Sequence, residues 1–487
     1  MIAELDVAVV GGGISGLSAA FALVGQAPEL ALSLIEGSPR LGGCVRTERG
    51  DGFVIEAGPD SFLRTKPDAA ALCAELGMKS ELIEVLPGAH AAYLVRHGAL
   101  ERLPAGMVLS APTRLGPLLD TPLLSFPGKL RALGDLLIPA KKSGEDESIE
   151  SFLTRRFGAE VAKTIGAPLL GGIYAGDIGE LSLHATFPQL SLFESRSRSV
   201  ILGMLGAALQ RGGDAHPSLI SLLKSWIRTR SVAAPSPFLS LRDGLESMVD
   251  RLVERIGRAR IRVDHSLIAL ERDGGRFVLR TSRGTLSARA VVLTLPAPVA
   301  AAVVPEGRLS RELAAIRYAS TATAAFAFSK SELGRELDGS GFLVPPGEGK
   351  ILAATWVTSK WPGRAPEGSI LVRAYVGPGR DLDLPDSDLV ELARSELERL
   401  SGPFGAPLFS RLYRHRGIRP QPGIGHRERL ERLDTELAQL PGLFLAGAGY
   451  DGVGIPDCIR QAKSAARAAL SFLNRASQVD SKARSTI

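Results

Sequence analysis

The chain has 487 residues, 45% hydrophobic and 23% charged, enough for a large core and for roughly three domain equivalents. Its net charge is +6, but the arginine surplus is scattered along helices and never interleaved with aromatics, which argues against nucleic acid and suits anionic substrates or an anionic membrane face. Three widely spaced cysteines, Cys44, Cys73 and Cys458, make neither a disulfide framework nor a metal site and point to a reducing, cytoplasmic compartment.

Residues 1–6 lead directly into a first strand at 5–10 (LDVAVV), so no signal peptide is expected. That apolar run ends at glycines and reads as a buried parallel strand. A helix at 14–24 and a second parallel strand at 30–35 complete a βαβ opening, and an extended segment follows at 53–56. From residue 67 the texture turns helical, with predicted helices at 67–77, 148–157, 159–165 and 199–211. The Leu-rich stretch 108–140 carries Arg114, Lys129 and Arg131. It fits an amphipathic platform on a membrane, or equally a helical subdomain with a solvated face.

Alternating runs at 260–263, 266–272, 276–281 and 286–295 predict a β-meander whose last strand re-enters the parallel sheet. That last run belongs to the longest apolar stretch, 290–304, which Pro296 and Pro298 interrupt and which is too short to span a bilayer. Further strands are expected at 324–328, 351–356 and 370–376. A final strand at 443–446 and a helix at 456–472 close the fold, with an unstructured tail after them. The fold class is α/β: a Rossmann-like nucleotide domain (1–86, 231–300 and 421–475) interleaved with a mixed α+β substrate domain (301–420). A helical region at 87–230 faces substrate or membrane, and 476–487 form the tail.

Gly11, Gly13 and Gly16, in the run Gly11-Gly12-Gly13-Ile14-Ser15-Gly16, satisfy the dinucleotide fingerprint. Context gives it weight: a buried strand precedes, a helix follows, and Glu36 closes the second strand where a ribose diol would need an acceptor. The helix N-terminus supplies free N–H groups and a partial positive charge to a pyrophosphate. Directly after Glu36, Gly37, Arg40, Gly43 and Cys44 form a second glycine loop with flanking arginines. Such a loop suits a dinucleotide longer than NAD, although Arg40 and Arg46 could each be surface charges. Near the C-terminus, residues 447–456 (GAGYDGVGIP) again place glycines before a helix. A helix start there could face a flavin pyrimidine and stabilise charge on its N1 and C2 carbonyl, or simply be a turn into a packing helix.

The segments VVGGGISGL, EGSPRLGGCVRT, IEAGPDSFL, PLLGGIYAGDIGELSL, SLRDGLESM and AGAGYDGVGIPDCI together resemble the flavin amine-oxidase superfamily. The fourth and last are worded most like its protoporphyrinogen oxidase branch, in the bacterial oxygen-dependent form. The resemblance covers nearly the whole chain. It implies non-covalent FAD and three two-electron oxidations of a porphyrinogen, protoporphyrinogen IX or coproporphyrinogen III, in heme biosynthesis. Each would pass a hydride to flavin N5, with oxygen as acceptor. No side chain is assigned as acid or base, and no metal is expected.

By position, the resemblance puts Gly11 to Gly16, Glu36, Gly43, Gly58, Pro59, Asp60 and Ser61 along the FAD, and the backbone of Leu267 at its adenine half. Ala448 and the run Val453, Gly454 and Ile455 fall by the flavin ring. Gly172 should face the substrate and Leu343 should touch the macrocycle, unless Leu343 is ordinary core. Arg96 is a candidate for a substrate propionate or else a surface arginine. Ser340 stands where such relatives carry Phe. The protein could sit peripherally on the inner face of the cell membrane, and a homodimer is compatible with the sequence. An amine oxidase, a carotenoid desaturase, or a flavin-free relative such as the Rab-escort proteins are the competing readings.

Overall fold

The computed structural model describes residues 3–211, 218–228 and 236–485. Its first sheet grows from the apolar N-terminal run. β1 (Ala3–Val10) lies parallel to β2 (Leu32–Ile35) on one side and to Gly284–Leu293 on the other, with α1 (Ile14–Gln26) as the crossover. Val7, Ala8 and Val9 are wholly inaccessible, as a sheet covered on both faces requires. The strand order is Ile261–Arg262, β2, β1, Gly284–Leu293, Arg276–Thr281 and Leu267–Asp273. Leu443–Leu445 pairs parallel with the upper half of Gly284–Leu293, so the end of the chain returns to the sheet that its beginning started.

Side-chain alternation sorts this sheet into two cores. Val7, Val9, Leu34 and Val292 pack toward α1, the helix Glu246–Ile256 and the C-terminal helix. Ala8, Val10, Val291 and Leu293 pack the other way, toward Ala297, Leu309 and Leu433. The helix Glu246–Ile256 buries Met248, Val249, Leu252, Val253 and Ile256, one face at helical spacing, and stops where Gly257 takes a φ of 87°.

A second seven-stranded sheet runs in the order Phe409–Gln421, Arg317–Ser329, Ser369–Val376, Ala353–Trp356, Gly341–Leu343, Ala92–Arg96 and Ala99–Arg102. Its neighbours are antiparallel except Gly341–Leu343 with Ala92–Arg96. Ala322, Ala324, Phe326, Val372 and Ala374 bury one face beneath the helix Asp386–Ser401. The opposite face, with Ala325, Ala327, Leu371 and Tyr413, packs on Phe53, Ile55 and Ala57 of the nucleotide domain. That contact lays the second sheet across the strand Phe53–Glu56 and the turn after it.

The helical lobe forms around Phe152, Leu153, Phe157, Ile165, Leu190 and Trp226. Its helices start on serine caps: Ser125 Oγ accepts from Gly128 N, and Ser148 Oγ accepts from Ser151 N. Arg156 and Asp135 are both fully buried and ion-paired, and the Ser199 hydroxyl donates to the same carboxylate at 2.5 Å. Three further donors therefore satisfy charges that would be costly alone.

Four expectations need correction. The hairpin Ala92–Arg102 belongs to the second sheet, not to the helical region that begins at 87. Phe409–Gln421 forms a 13-residue strand that the sequence hides, because it lies at the sheet edge, where solvent tolerates arginine and where Pro420 needs no donor. The helix expected at 159–165 opens instead into a wider π-helical run, Ala162–Gly171, containing Pro168, whose ring cannot fit an ordinary helix interior. The final helix, expected to end near 472, continues from Ile455 to Ser485 across the span expected to be unstructured, carried by Ala, Gln, Lys and Arg, all good helix formers.

Candidate functional site: a nucleotide cradle facing a side-chain pocket

The cradle is built by omission of side chains. Gly11 has a φ of 106°, and a Cβ there would lie 2.6 Å from Thr294 Oγ1. A Cβ on Gly16 would lie 1.8 Å from the Gly11 carbonyl, so α1 can cross the end of β1 only with glycine at that position. Gly13 is the N-cap of α1 and carries no side-chain cap, which leaves the helix N-terminus open to a ligand anion. The second glycine loop closes over it: Gly42 N donates to Gly12 O at 2.7 Å, and the space beside Gly13 meets only the Gly43 Cα, at 3.9 Å. Ile14 and Ser15 begin the helix, both buried.

Glu36 stands at the tip of β2, its carboxylate accepting from Gly12 N at 2.6 Å and Ser38 N at 2.8 Å. Gly37 backs onto Ser266, and His265 N donates to Glu36 O at 2.8 Å, which brings the start of Leu267–Asp273 beside this loop. Leu267 sits at the irregularity in that strand's pairing. Arg40 turns inward. Its guanidinium donates to the carbonyls of Leu41, Gly43 and Val45, so it braces the glycine loop from within and is not free to reach a ligand. Cys44 is exposed, yet surrounding protein thins its hydration enough to raise the thiol pKa against the pull of Arg419.

Gly58 to Ser61 pass under the second sheet. A Cβ on Gly58 would lie 1.9 Å from the Cys44 carbonyl. Pro59 follows, and the Asp60 carboxylate takes Lys360 Nζ at 3.0 Å and the Ser61 hydroxyl at 2.7 Å, with Arg373 Nη1 at 3.8 Å. Burial alone would raise the Asp60 pKa. Lys360 and Arg373 outweigh it and hold the carboxyl well below the usual carboxylate range.

At the C-terminal turn, Gly447 and Gly452 have φ values of 148° and 94°. Ala448 packs against the core beneath α1. Gly454 N donates to Asp457 Oδ2 at 3.1 Å, and Lys66 Nζ pairs with the same carboxylate at 2.7 Å. The positive end of the helix that begins at Ile455 thus already holds one carboxylate, and Lys66 restores the local positive charge.

At the substrate end, a Cβ on Gly172 would sit 4.0 Å from Leu343 Cδ2, and Leu343 and Val453 both pack on the core of the helical lobe. Two segments more than a hundred residues apart in sequence, those of Gly172 and Leu343, therefore meet, and the C-terminal turn packs on the same lobe through Val453. Arg96 is not among them. It donates to the Pro122 carbonyl and ties the sheet to the helical lobe. Ser340 gives its hydroxyl to the Ala89 carbonyl.

Sequence reasoning missed the polar side chains on the cleft-facing side of the second sheet. Register places Arg373 and Tyr375 opposite Ala325 and Thr323, with His415 opposite Thr321 and Arg419 opposite Ala319. Arg373 Nη2 donates to Gly58 O at 2.5 Å, and His415 Nε2 meets Ala57 O at 2.9 Å, so the sheet grips the segment at 57–58 by its carbonyls. The one available signal was Arg373 inside an otherwise apolar strand, SILVRAYV.

A glycine-lined cradle at a parallel sheet, crossed by a second sheet and completed by the end of the chain, defines a dinucleotide-dependent oxidoreductase. Residues 14–470 match the family model described as flavin containing amine oxidoreductase, and the chain belongs to that family. It is a flavoprotein oxidoreductase, and the cradle, with Glu36 at the strand end and an uncapped helix N-terminus, fits its FAD. It is similar to the coproporphyrinogen III oxidase of Bacillus subtilis, at 36% identity over 96% of this chain and 98% of that one. The chloroplastic protoporphyrinogen oxidase of Oryza sativa is 30% identical over 96% of this chain and 89% of that one. A crystal structure from Exiguobacterium sp. 255-15, provisionally named protoporphyrinogen oxidase, superposes with a TM-score of 0.83 at 33% identity, covering 96% and 99% of the two chains. Among the described residues no cluster of His, Cys, Asp and Glu could hold a metal, and no helix is long and apolar enough to cross a membrane.

Proposed function

We propose that this chain oxidises a porphyrinogen to its porphyrin in heme biosynthesis, with oxygen as acceptor. The observation that carries the reading is the approach of Gly172 to Leu343, more than a hundred residues apart in sequence, where Leu343 and Val453 both pack on the helical lobe. Leu343 and Val453 provide apolar walls for a large ring, and Gly172, exposed and without a side chain, lets a flat macrocycle lie close to the backbone. FAD, held non-covalently, would take a hydride from the ring in each of three two-electron steps and pass the electrons to oxygen, giving peroxide. The protein's part is to hold the ring in position and to exclude water.

Coproporphyrinogen III stands first as substrate, ahead of protoporphyrinogen IX. The relatives named for it reach 36% identity, whereas those named protoporphyrinogen oxidase reach 33%. The helical lobe exposes Phe126, Leu130 and Leu137 at 69%, 52% and 83%, which suits peripheral docking on the inner face of the cell membrane. The test is steady-state turnover of the FAD-loaded protein on coproporphyrinogen III, protoporphyrinogen IX and a panel of primary amines. Fluorescent porphyrin with matched oxygen consumption is expected, fastest on coproporphyrinogen III. Oxidation of amines with no porphyrin formed from either porphyrinogen would overturn the reading.

A further inference from the structure

The cleft-facing side of the second sheet carries more buried positive charge than the protein itself neutralises. Lys360, Arg364, Arg373 and Arg419 lie around this region, against the two carboxylates of Glu56 and Asp60. Lys360 and Arg373 share Asp60, and Arg364 lies 4.0 Å from Glu56. Arg419 is left over. Among the described residues no carboxylate pairs with it, and its Nε is buried without a hydrogen-bond partner. Its electrostatic neighbours are the Cys44 thiol, the Tyr375 phenol and the like charge of Arg373. Burial accordingly lowers its pKa, with no fixed anion to oppose the shift. Beside it the Thr321 hydroxyl, buried on the same face, is also unpartnered. Leaving a guanidinium Nε and a hydroxyl buried without partners is costly, and the cost disappears if an oxyanion enters between them.

Position selects the source of that oxyanion. The pyrophosphate has its own cradle of amides at Gly11 to Gly16. Arg419 lies on the opposite wall, two residues before Gln421, whose Nε2 donates to the Tyr174 carbonyl at 2.7 Å in the segment that carries Gly172. Its neighbour Tyr375 accepts Leu352 N at its carbonyl, one residue from Ala353, the strand partner of Leu343. Arg419 therefore lies two residues from the strand position bonded to the Gly172 segment, and its neighbour Tyr375 lies on the strand next to the one that pairs with Leu343. We infer that Arg419, with Thr321, binds a carboxylate of the substrate and favours the more highly carboxylated porphyrinogen, resting on the porphyrinogen reading above.

The test uses FAD-loaded protein and the fluorescent product coproporphyrin III, bound in the dark without turnover. Arg419→Met should weaken binding about tenfold or more, the usual scale for a charge-assisted pair, and Arg419→Lys should fall between the two. Coproporphyrin III tetramethyl ester should bind wild type and Arg419→Met equally, a comparison that needs no refolding argument. In steady state, KM for coproporphyrinogen III should rise more in Arg419→Met than KM for protoporphyrinogen IX. Equal affinity of wild type and Arg419→Met for coproporphyrin III would overturn the inference. So would a loss confined to FAD affinity, which would assign Arg419 to the cofactor. If wild type turns over porphyrinogens while these differences are absent, only this inference fails; if it binds and oxidises none, the parent reading falls and takes this one with it.

Discussion

The two walls of the cleft are made of different material. The nucleotide wall is backbone: glycines at 11, 13, 16, 42, 43 and 58, with amides and carbonyls turned toward one another or toward the ligand space. The wall that the proposed porphyrinogen would meet is side chain: Leu343, Val453, Tyr375 and a set of buried cations poised on Asp60. A backbone wall has no room to adjust, so substitutions there act as switches. A side-chain wall can repack, and substitutions there should give graded changes in affinity and stability.

The sharpest contrast is Gly16→Val against Leu343→Ala. The valine would drive a side chain through the Gly11 carbonyl, and the purified protein should be insoluble or free of flavin by absorbance. Leu343→Ala should keep its flavin and raise the porphyrinogen KM several-fold. A yellow, folded Gly16→Val protein would erase the contrast. Next in size is Asp60→Asn, which strands Lys360 and Arg373; stability in urea should fall by about 3–5 kcal/mol. Adding Lys360→Met should recover part of the loss, and full additivity in that cycle would show that the pair does not couple. Glu36→Ala should weaken FAD binding about tenfold, read by flavin fluorescence, since it removes both the ribose acceptor and the brace on Gly12 N.

A smaller effect concerns pH. Burial lowers the pKa of His415 and of His426, so both are kept neutral in the fold while the unfolded chain binds protons near pH 6.5. Their contribution is present above the unfolded value and is lost as pH falls below it, with a slope of at most about 1.4 kcal/mol per pH unit for each histidine. Urea midpoints at pH 7.5 and 5.5 should differ less in the His415→Gln, His426→Gln double variant than in wild type. Smallest of all, Phe126→Ser with Leu137→Ser should change stability by no more than about 0.5 kcal/mol while reducing retention on anionic vesicles. Unchanged retention would remove the membrane from the account.

The same difference in material decides what the sequence discloses. Gly11, Gly13, Gly16 and Glu36 are legible because only glycine permits those approaches and because the spacing from the fingerprint to the strand-end acid is local. Gly172 and Leu343 were reachable through motif wording, and the structure sets them side by side. Arg40 and Arg96 were read as ligand contacts, yet each satisfies nearby carbonyls; a lone arginine in a loop or at a strand end does not reveal which acceptor it will find. Arg373, His415 and Arg419 were invisible for a further reason: their role depends on strand register between segments far apart in the chain, and the strand Phe409–Gln421 that carries two of them does not read as a strand.

The central claim, that a flavin in the glycine cradle accepts electrons from a porphyrinogen held between Leu343, Val453 and Gly172, is tested most directly without oxygen. FAD-loaded protein mixed anaerobically with coproporphyrinogen III should lose its yellow flavin band as porphyrin fluorescence appears, and admission of air should restore the yellow colour. A flavin band that stays unchanged with excess porphyrinogen, in protein whose flavin dithionite reduces normally, would contradict the account.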